Sequence, residues 1–283
     1  MRVFRIIVVI VFAACLGLYA GTGIREKLQN QSEGPKLYAG QEILELSTED
    51  PPEKMLEGLT ASDAEDGDLT DSILISGTSH FVGKGELHVT YVVFDSDNHS
   101  ASLTRKVRYT DYRPPEFALT QPLIFQKNVS ADLLEYVQAA DVLDGDITER
   151  VKVAEDSLDT TSPGVYPVTF EVTNSCGDRA AVTVNAVVRD ADPAGSITLT
   201  DSLIYLDRGG EFQPGDYVSA VTTSSGQTLQ TEGLQIYEDG YFLTNISANG
   251  TVNTAEPGCY QVEYTYRTSR SEGSAWLTVM VRE

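Results

Sequence analysis

The chain has 283 residues, 41% of them hydrophobic, and carries 42 Asp and Glu against 20 Lys and Arg, for a net charge of −22 at pH 7. A surface this acidic repels phosphate, which excludes nucleic acid as a partner and anionic lipid as a partner of the folded part. The charge favours solubility and repulsion between neighbouring segments, or else the attraction of cations.

Residues 1–29 read as a membrane segment. Arg2 and Arg5 precede a run from Ile6 to Ile24 without a charged side chain, and Arg25 follows it. At 1.5 Å per residue that run makes about 28 Å of helix, which matches a hydrocarbon core of ~30 Å. The positive-inside tendency places Met1 in the cytoplasm and everything after Arg25 outside. Retention as a signal anchor is favoured, because Leu18-Tyr-Ala20 puts a bulky residue where signal peptidase prefers a small one. Cleavage near Gly21-Thr-Gly23, which would release the protein, is the alternative. Cys15 reads as a membrane-buried side chain, since the apolar run before it is too short for a lipoprotein signal. Without residues 1–29 the rest holds 16 basic and 41 acidic side chains, a net −25.

Three segments then repeat one pattern, over 30–112, 113–192 and 193–283. In the first, Gly85-Glu-Leu-His-Val-Thr-Tyr-Val-Val is followed by an alternating run through Ala101, Leu103, Val107 and Tyr109. Apolar residues at every second position make a half-buried strand, because successive side chains point to opposite faces. The two runs form a hairpin closed by the turn Asp95-Ser-Asp-Asn-His. Upstream stands Ala61-Ser-Asp-Ala-Glu-Asp-Gly-Asp-Leu-Thr. All three histidines, His80, His88 and His99, fall here, and the second copy replaces His88 and His99 by Pro167 and Asp178, as expected of surface positions.

The second segment repeats these features as Ala139-Ala-Asp-Val-Leu-Asp-Gly-Asp-Ile-Thr, Gly164-Val-Tyr-Pro-Val-Thr-Phe-Glu-Val, the turn Asn174-Ser-Cys-Gly-Asp, and a run through Ala180, Val182, Ala186 and Val188. The third keeps Gly258-Cys-Tyr-Gln-Val-Glu-Tyr-Thr-Tyr and the run through Ala275, Leu277 and Val281, but has Thr222-Thr-Ser-Ser-Gly where the acidic turn should be. Alternation there puts Tyr260, Val262, Tyr264 and Tyr266 in the core. Tyr237, Tyr241 and Phe242 are left as candidates for an exposed patch that grips a glycan or protein, or as further filling of the core. The proline-bearing joints Asp111-Tyr-Arg-Pro-Pro and Asp190-Ala-Asp-Pro-Ala-Gly predict an extended string of modules.

The Asp-Gly-Asp-(Leu/Ile)-Thr turns, followed by the Gly-x-Tyr-x-Val-x-Tyr type of strand and its Asp-rich turn, resemble the bacterial Ig-like repeat of surface proteins and some insecticidal crystal toxins. The resemblance covers roughly residues 40 to 190, with a divergent third copy. It implies an all-β chain of three tandem Ig-like antiparallel β-sandwiches, here preceded by an N-terminal transmembrane helix. Segments of 80 to 90 residues suit such domains.

The acidic turns admit two readings. Asp63, Asp66 and Asp68, and again Asp141, Asp144 and Asp146, set several carboxylates around a glycine and could supply oxygen ligands to Ca²⁺. Asp and Gly are also ordinary turn residues, in which the carboxylate accepts local backbone N–H bonds. An EF-hand is not present. Cys176 and Cys259 occupy opposite ends of their modules and are expected to stay unpaired. The Asn-x-Ser/Thr triplets at Asn30, Asn98, Asn128, Asn245 and Asn249 are read as chance in an Asn- and Ser-rich exterior. No nucleophile elbow, phosphate loop or His/Cys cluster points to catalysis. The expectation is a non-enzymatic bacterial surface protein, an adhesive or spacer ectodomain, with a ligand-binding third module or an accessory role in an envelope assembly as alternatives.

Overall fold

The computed structural model describes Cys15 and residues 34–130, 132–190 and 195–283. The expected membrane segment, Cys15 apart, lies outside them. Among the described residues no helix is long and apolar enough to cross a membrane, and apart from Cys15 the fold consists of strands, short 3-10 turns and loops. The chain divides into two compact units, the first ending at Tyr112 and the second running from Arg113 to Glu283.

The first unit contains β1 (Lys36–Ala39), β2 (Ile43–Leu46), β3 (Leu59–Asp63), β4 (Gly67–Asp68), β5 (Leu74–Thr78), β6 (Glu86–Phe94) and β7 (Ser100–Tyr109). They form two sheets, ordered β1-β3-β4 and β2-β7-β6-β5. β6 is rich in β-branched and aromatic residues, which suit a pleated, half-buried surface. Its alternate residues Leu87, Val89, Tyr91 and Val93 are all buried, as the period of two demands. On β7 the inward series between Leu103 and Val107 includes Arg105, only 3% exposed. Its guanidinium lies over the Tyr91 ring and donates to the carbonyls of Met55 at 2.6 Å and Glu57 at 2.7 Å. Tyr91 donates its own hydroxyl to Met55 at 2.7 Å. The core thus fastens the turn at Pro52–Leu56 across the sandwich. Gly85 is required for a different reason: its φ is +66°, and a Cβ there would meet the Tyr112 Cβ at 2.9 Å.

The second unit holds two sandwiches. Strands β8 (Glu116–Leu119), β9 (Ile124–Gln126), β10 (Val137–Asp141), β11 (Gly145–Asp146), β12 (Lys152–Asp156), β13 (Gly164–Thr173) and β14 (Arg179–Arg189) form sheets β11-β10-β8 and β12-β13-β14-β9. Strands β15 (Gly195–Leu199), β16 (Leu203–Asp207), β17 (Val218–Thr223), β18 (Thr228–Glu232), β19 (Gln235–Glu238), β20 (Tyr241–Asn245), β21 (Ser247–Asn249), β22 (Gly258–Arg267) and β23 (Glu272–Arg282) form sheets β15-β17-β18-β19-β20 and β16-β23-β22-β21. Phe170 and Tyr264 are fully buried at the place of Tyr91. Val262, Tyr264 and Tyr266 lie in the core, with Tyr260 packed against it, as alternation predicts.

In one respect the wholly antiparallel expectation is corrected. The second strand of each sandwich runs parallel to the last, with Leu44 opposite Val107, Phe125 opposite Val188 and Leu206 opposite Val281. After its first strand the chain crosses to the other sheet, so it arrives beside the last strand travelling the same way and covers the edge that strand would expose.

The expected string of separate beads is also corrected for Arg113–Glu283. Leu203 of the third sandwich is buried in the core cluster of the second, together with Phe117, Leu123 and Val184, and Tyr205 and Met280 pack against it. The Tyr205 hydroxyl accepts from the Phe117 N–H at 2.7 Å, and burial pushes its pKa up to about 12. Arg282 lies over the Tyr205 ring and pairs with Glu116. Thr183 O accepts from Gln261 at 2.8 Å and from the Cys259 thiol at 3.1 Å. Leu203, Tyr205 and Met280 on the outer face of β16 and β23 are apolar, and burying them against the second sandwich outweighs the preference of a proline-bearing joint for extension. Truncating Leu203→Ala should destabilise the second unit by about 2–3 kcal/mol. Calorimetry should then show its melting transition lowered by roughly 5–10 °C, with that of the first unit unmoved.

Candidate functional site

The acidic turns are built alike in the first and second sandwiches. Asp63 Oδ1 accepts from the N–H groups of Glu65 at 2.7 Å and Asp66 at 3.1 Å, and Asp141 Oδ1 from those of Leu143 at 2.9 Å and Asp144 at 3.0 Å. The chain then reverses at Gly67 and Gly145, where φ is +78° and +72°. Asp68 and Asp146 accept from the N–H groups of Thr70 and Thr148. Those two threonines accept in turn, through Oγ1, from the Ala61 and Ala139 N–H groups at 3.1 Å. Each turn is held by a set of local hydrogen bonds.

The remaining aspartate of each turn reaches outward to the closing hairpin. Asp66 Oδ2 accepts from the Ser96 N–H at 2.7 Å. Asp144 accepts from the Ser175 N–H at 2.7 Å, the Ser175 hydroxyl at 2.6 Å and Arg150 at 2.6 Å. The third sandwich, which lacks the acidic turn, ties the same two loops with hydroxyls: the Ser224 N–H donates to Ser271 Oγ at 3.1 Å, and Ser224 Oγ to the Arg270 carbonyl at 3.2 Å. Ser96 and Ser175 escaped the sequence reading, although they follow Asp66 and Asp144 at nearly the same interval.

The electrostatics agree with this arrangement. Backbone N–H donors of Glu65 and Asp66 hold the Asp63 carboxyl below the ordinary range, and the hydroxyl and N–H of Thr70 and Thr148 do the same for Asp68 and Asp146. Partial burial pushes Asp144 upward, but the Ser175 donors and Arg150 together bring it below its usual value. Among the described residues no group of three or more His, Cys, Asp or Glu is arranged to hold a metal ion. One difference separates the two turns. Asn174 donates to Asp141 Oδ2 at 3.1 Å, whereas Asp95 stands at that place in the first sandwich and Asp63 Oδ2 is buried without a hydrogen-bond partner. His99 Nδ1 sits 2.9 Å from Asp95 Oδ2.

The three candidate patch residues come together on the third sandwich. Tyr237 of β19 is opposite Phe242 of β20, with ring centroids 6.1 Å apart at 71°. Tyr241 is 79% and Phe242 57% exposed, while Tyr237 is half-buried. Leu243, 39% exposed, extends the patch. It falls at a β-bulge between Phe242 and Thr244, and a bulge interrupts the alternation from which a strand is read. β20 is the last strand of its sheet, so this apolar group lies on an edge. Cys176 and Cys259 are free thiols, both pushed up by burial.

Residues 133–188 match the family described as bacterial surface protein, Ig-like domain. The pesticidal crystal protein Cry22Aa of Bacillus thuringiensis is 36% identical over 126 residues, 43% of this chain and 17% of that protein. An uncharacterized 81.3 kDa protein of Acholeplasma phage L2 is 25% identical over 202 residues, 69% of this chain and 25% of that protein. The chain thus spans a quarter or less of the length of these relatives. Among solved structures, the CBM51-2 and INT domains of Clostridium perfringens ZmpB align at a TM-score of 0.23 and 18% identity, over 52% of this chain and 26% of that one.

Carboxylates depressed in the folded state contribute stability that is complete above their unfolded pKa of about 4 and is lost as pH falls through their lower folded values. The melting temperature should therefore be flat from about pH 7 to 5 and drop below about pH 4. Asp144→Ala strips three donors of their acceptor and should destabilise the second sandwich by about 1–2 kcal/mol, with a shallower acid limb in the thermal melts. Millimolar calcium should leave the melting temperature of the native chain unchanged.

Proposed function

We propose that this chain, whose second sandwich matches a bacterial surface Ig-like domain, is a non-enzymatic surface ectodomain that binds through the aromatic edge of its third sandwich. One observation carries the reading: Tyr241, Phe242 and Leu243 stand exposed on an edge strand, with Tyr237 bracing Phe242 from the neighbouring strand. Exposed aromatic faces stack on sugar rings and anchor protein interfaces, and their solvation is unfavourable unless a partner covers them. The acidic turns act in this reading as structural ties and not as ion sites, supported by the third sandwich making the same tie with Ser224 and Ser271. Residues 1–29 serve as the membrane anchor, supported by the uncharged run from Ile6 to Ile24.

A passive spacer is the second reading. It is favoured by the packing of Leu203, Tyr205 and Met280 against the second sandwich, which turns Arg113–Glu283 into one compact unit and suits a stiff stalk. The two readings part in one experiment. Tyr241→Ala with Phe242→Ala should weaken adhesion to purified wall polysaccharide or matrix protein by at least tenfold while the melting curve stays in place. Adhesion unchanged by the pair, with the fold intact, would leave the spacer.

A further inference from the structure

The three sandwiches present the same outer positions in the same register, and the first fills them differently. In the second sandwich Lys152 lies opposite Glu171, and Thr173 opposite Arg179, with Arg179 paired to Glu171. In the third, Ser247 lies opposite Thr265 and Arg267 opposite Glu272, again an ion pair. The first has Leu74 opposite Val92 and Phe94 opposite Ser100. Leu74 is 58% and Phe94 50% exposed. Where the second sandwich presents charged side chains and the third polar and charged ones, the first presents apolar ones.

The strand beside it differs from that of the second sandwich in the same sense. β5 is the edge of its sheet, and its residues Leu-Ile-Ser-Gly-Thr carry no charge, as is also true of the short β21 of the third sandwich, whereas β12 at the same edge of the second carries Lys152, Glu155 and Asp156. Edge strands are ordinarily kept from pairing by such charges. The surroundings specify the opposite polarity for a partner. From Met55 to Thr104 the chain holds nine acidic residues and a single Lys or Arg, Lys84, which precedes β6 at the end remote from Phe94. Asp71 lies just before β5 and Asp97 just after Phe94, while the Asp95 carboxylate is turned inward against His99. Asp66 reaches the same hairpin turn through Ser96.

The geometry points to a second docking surface, separate from the aromatic edge of the third sandwich: β5 and the Leu74–Val92–Phe94 face receive an extended segment of a partner protein with apolar side chains flanked by Lys or Arg. The apolar side chains cover Leu74 and Phe94, the partner's backbone lies along the uncharged edge, and the basic side chains meet Asp66, Asp71 and Asp97. A second copy of this chain, equally acidic, is the wrong polarity.

The test uses the full chain and a labelled decapeptide alternating Val and Lys, titrated by fluorescence anisotropy at physiological salt. The expected result is saturable binding that Leu74→Ser with Phe94→Thr weakens at least tenfold. Those substitutions keep the charge constant, and their melting temperature should match the native chain. Equal binding by the variant would overturn the proposal, as would equal binding of the Val/Glu decapeptide. A concentration-dependent dimer in sedimentation that disappears in the variant would overturn it as well, because the surface would then serve self-association.

Discussion

Each sandwich is organised by one constraint, the two-residue period of its closing hairpin. Every inward position of the penultimate strand must be apolar, and Tyr91, Phe170 and Tyr264 stand fully buried at its centre. The other elements are arranged around that hairpin. A parallel strand covers the outer edge of its last strand, and a short strand pairs with its first. In the first and third sandwiches the central tyrosine also reaches across to a 3-10 turn, through Met55 of Pro52–Leu56 in the first and Pro214 of Pro214–Tyr217 in the third. Phe170 has no hydroxyl and makes no such bond, so the ring and its packing, not the hydrogen bond, are what the three copies share.

The loops repeat the lesson. A carboxylate in two sandwiches and a serine in the third join the same pair of loops. What the fold requires at that end is an acceptor or donor able to reach the hairpin turn, and aspartate is one of several side chains that qualify. The strong acidity of the turns therefore does not by itself specify a bound ion.

The hairpins and their facing were legible in the sequence because burial on one face leaves a periodic trace. The second-strand crossover was not, since three to five residues such as Ile124–Gln126 are too few to show a period or a direction. The packing of the second sandwich on the third was hidden for another reason: Leu203 and Met280 look like ordinary strand residues, and nothing local says that both faces of a sheet will be covered. Arg105 could have been found, because it sits two residues from both Leu103 and Val107 and so must point inward. Leu243 could not, since its bulge breaks the rule by which the neighbouring strand was read. The contrast between Leu74 and Lys152 needed the register of all three copies before it meant anything.

The parallel pairing near the ends of each sandwich has a mechanical consequence. The second strand leaves the N-terminal side of a sandwich and the last strand leads to its C-terminal side, and the two lie side by side pointing the same way. Traction applied at opposite ends slides one strand along the other, so the ladder between Leu203–Asp207 and Thr278–Arg282 is strained all at once and does not peel open bond by bond. Rupture then requires the whole row to give way together, which suits a body that transmits load between whatever holds its two ends.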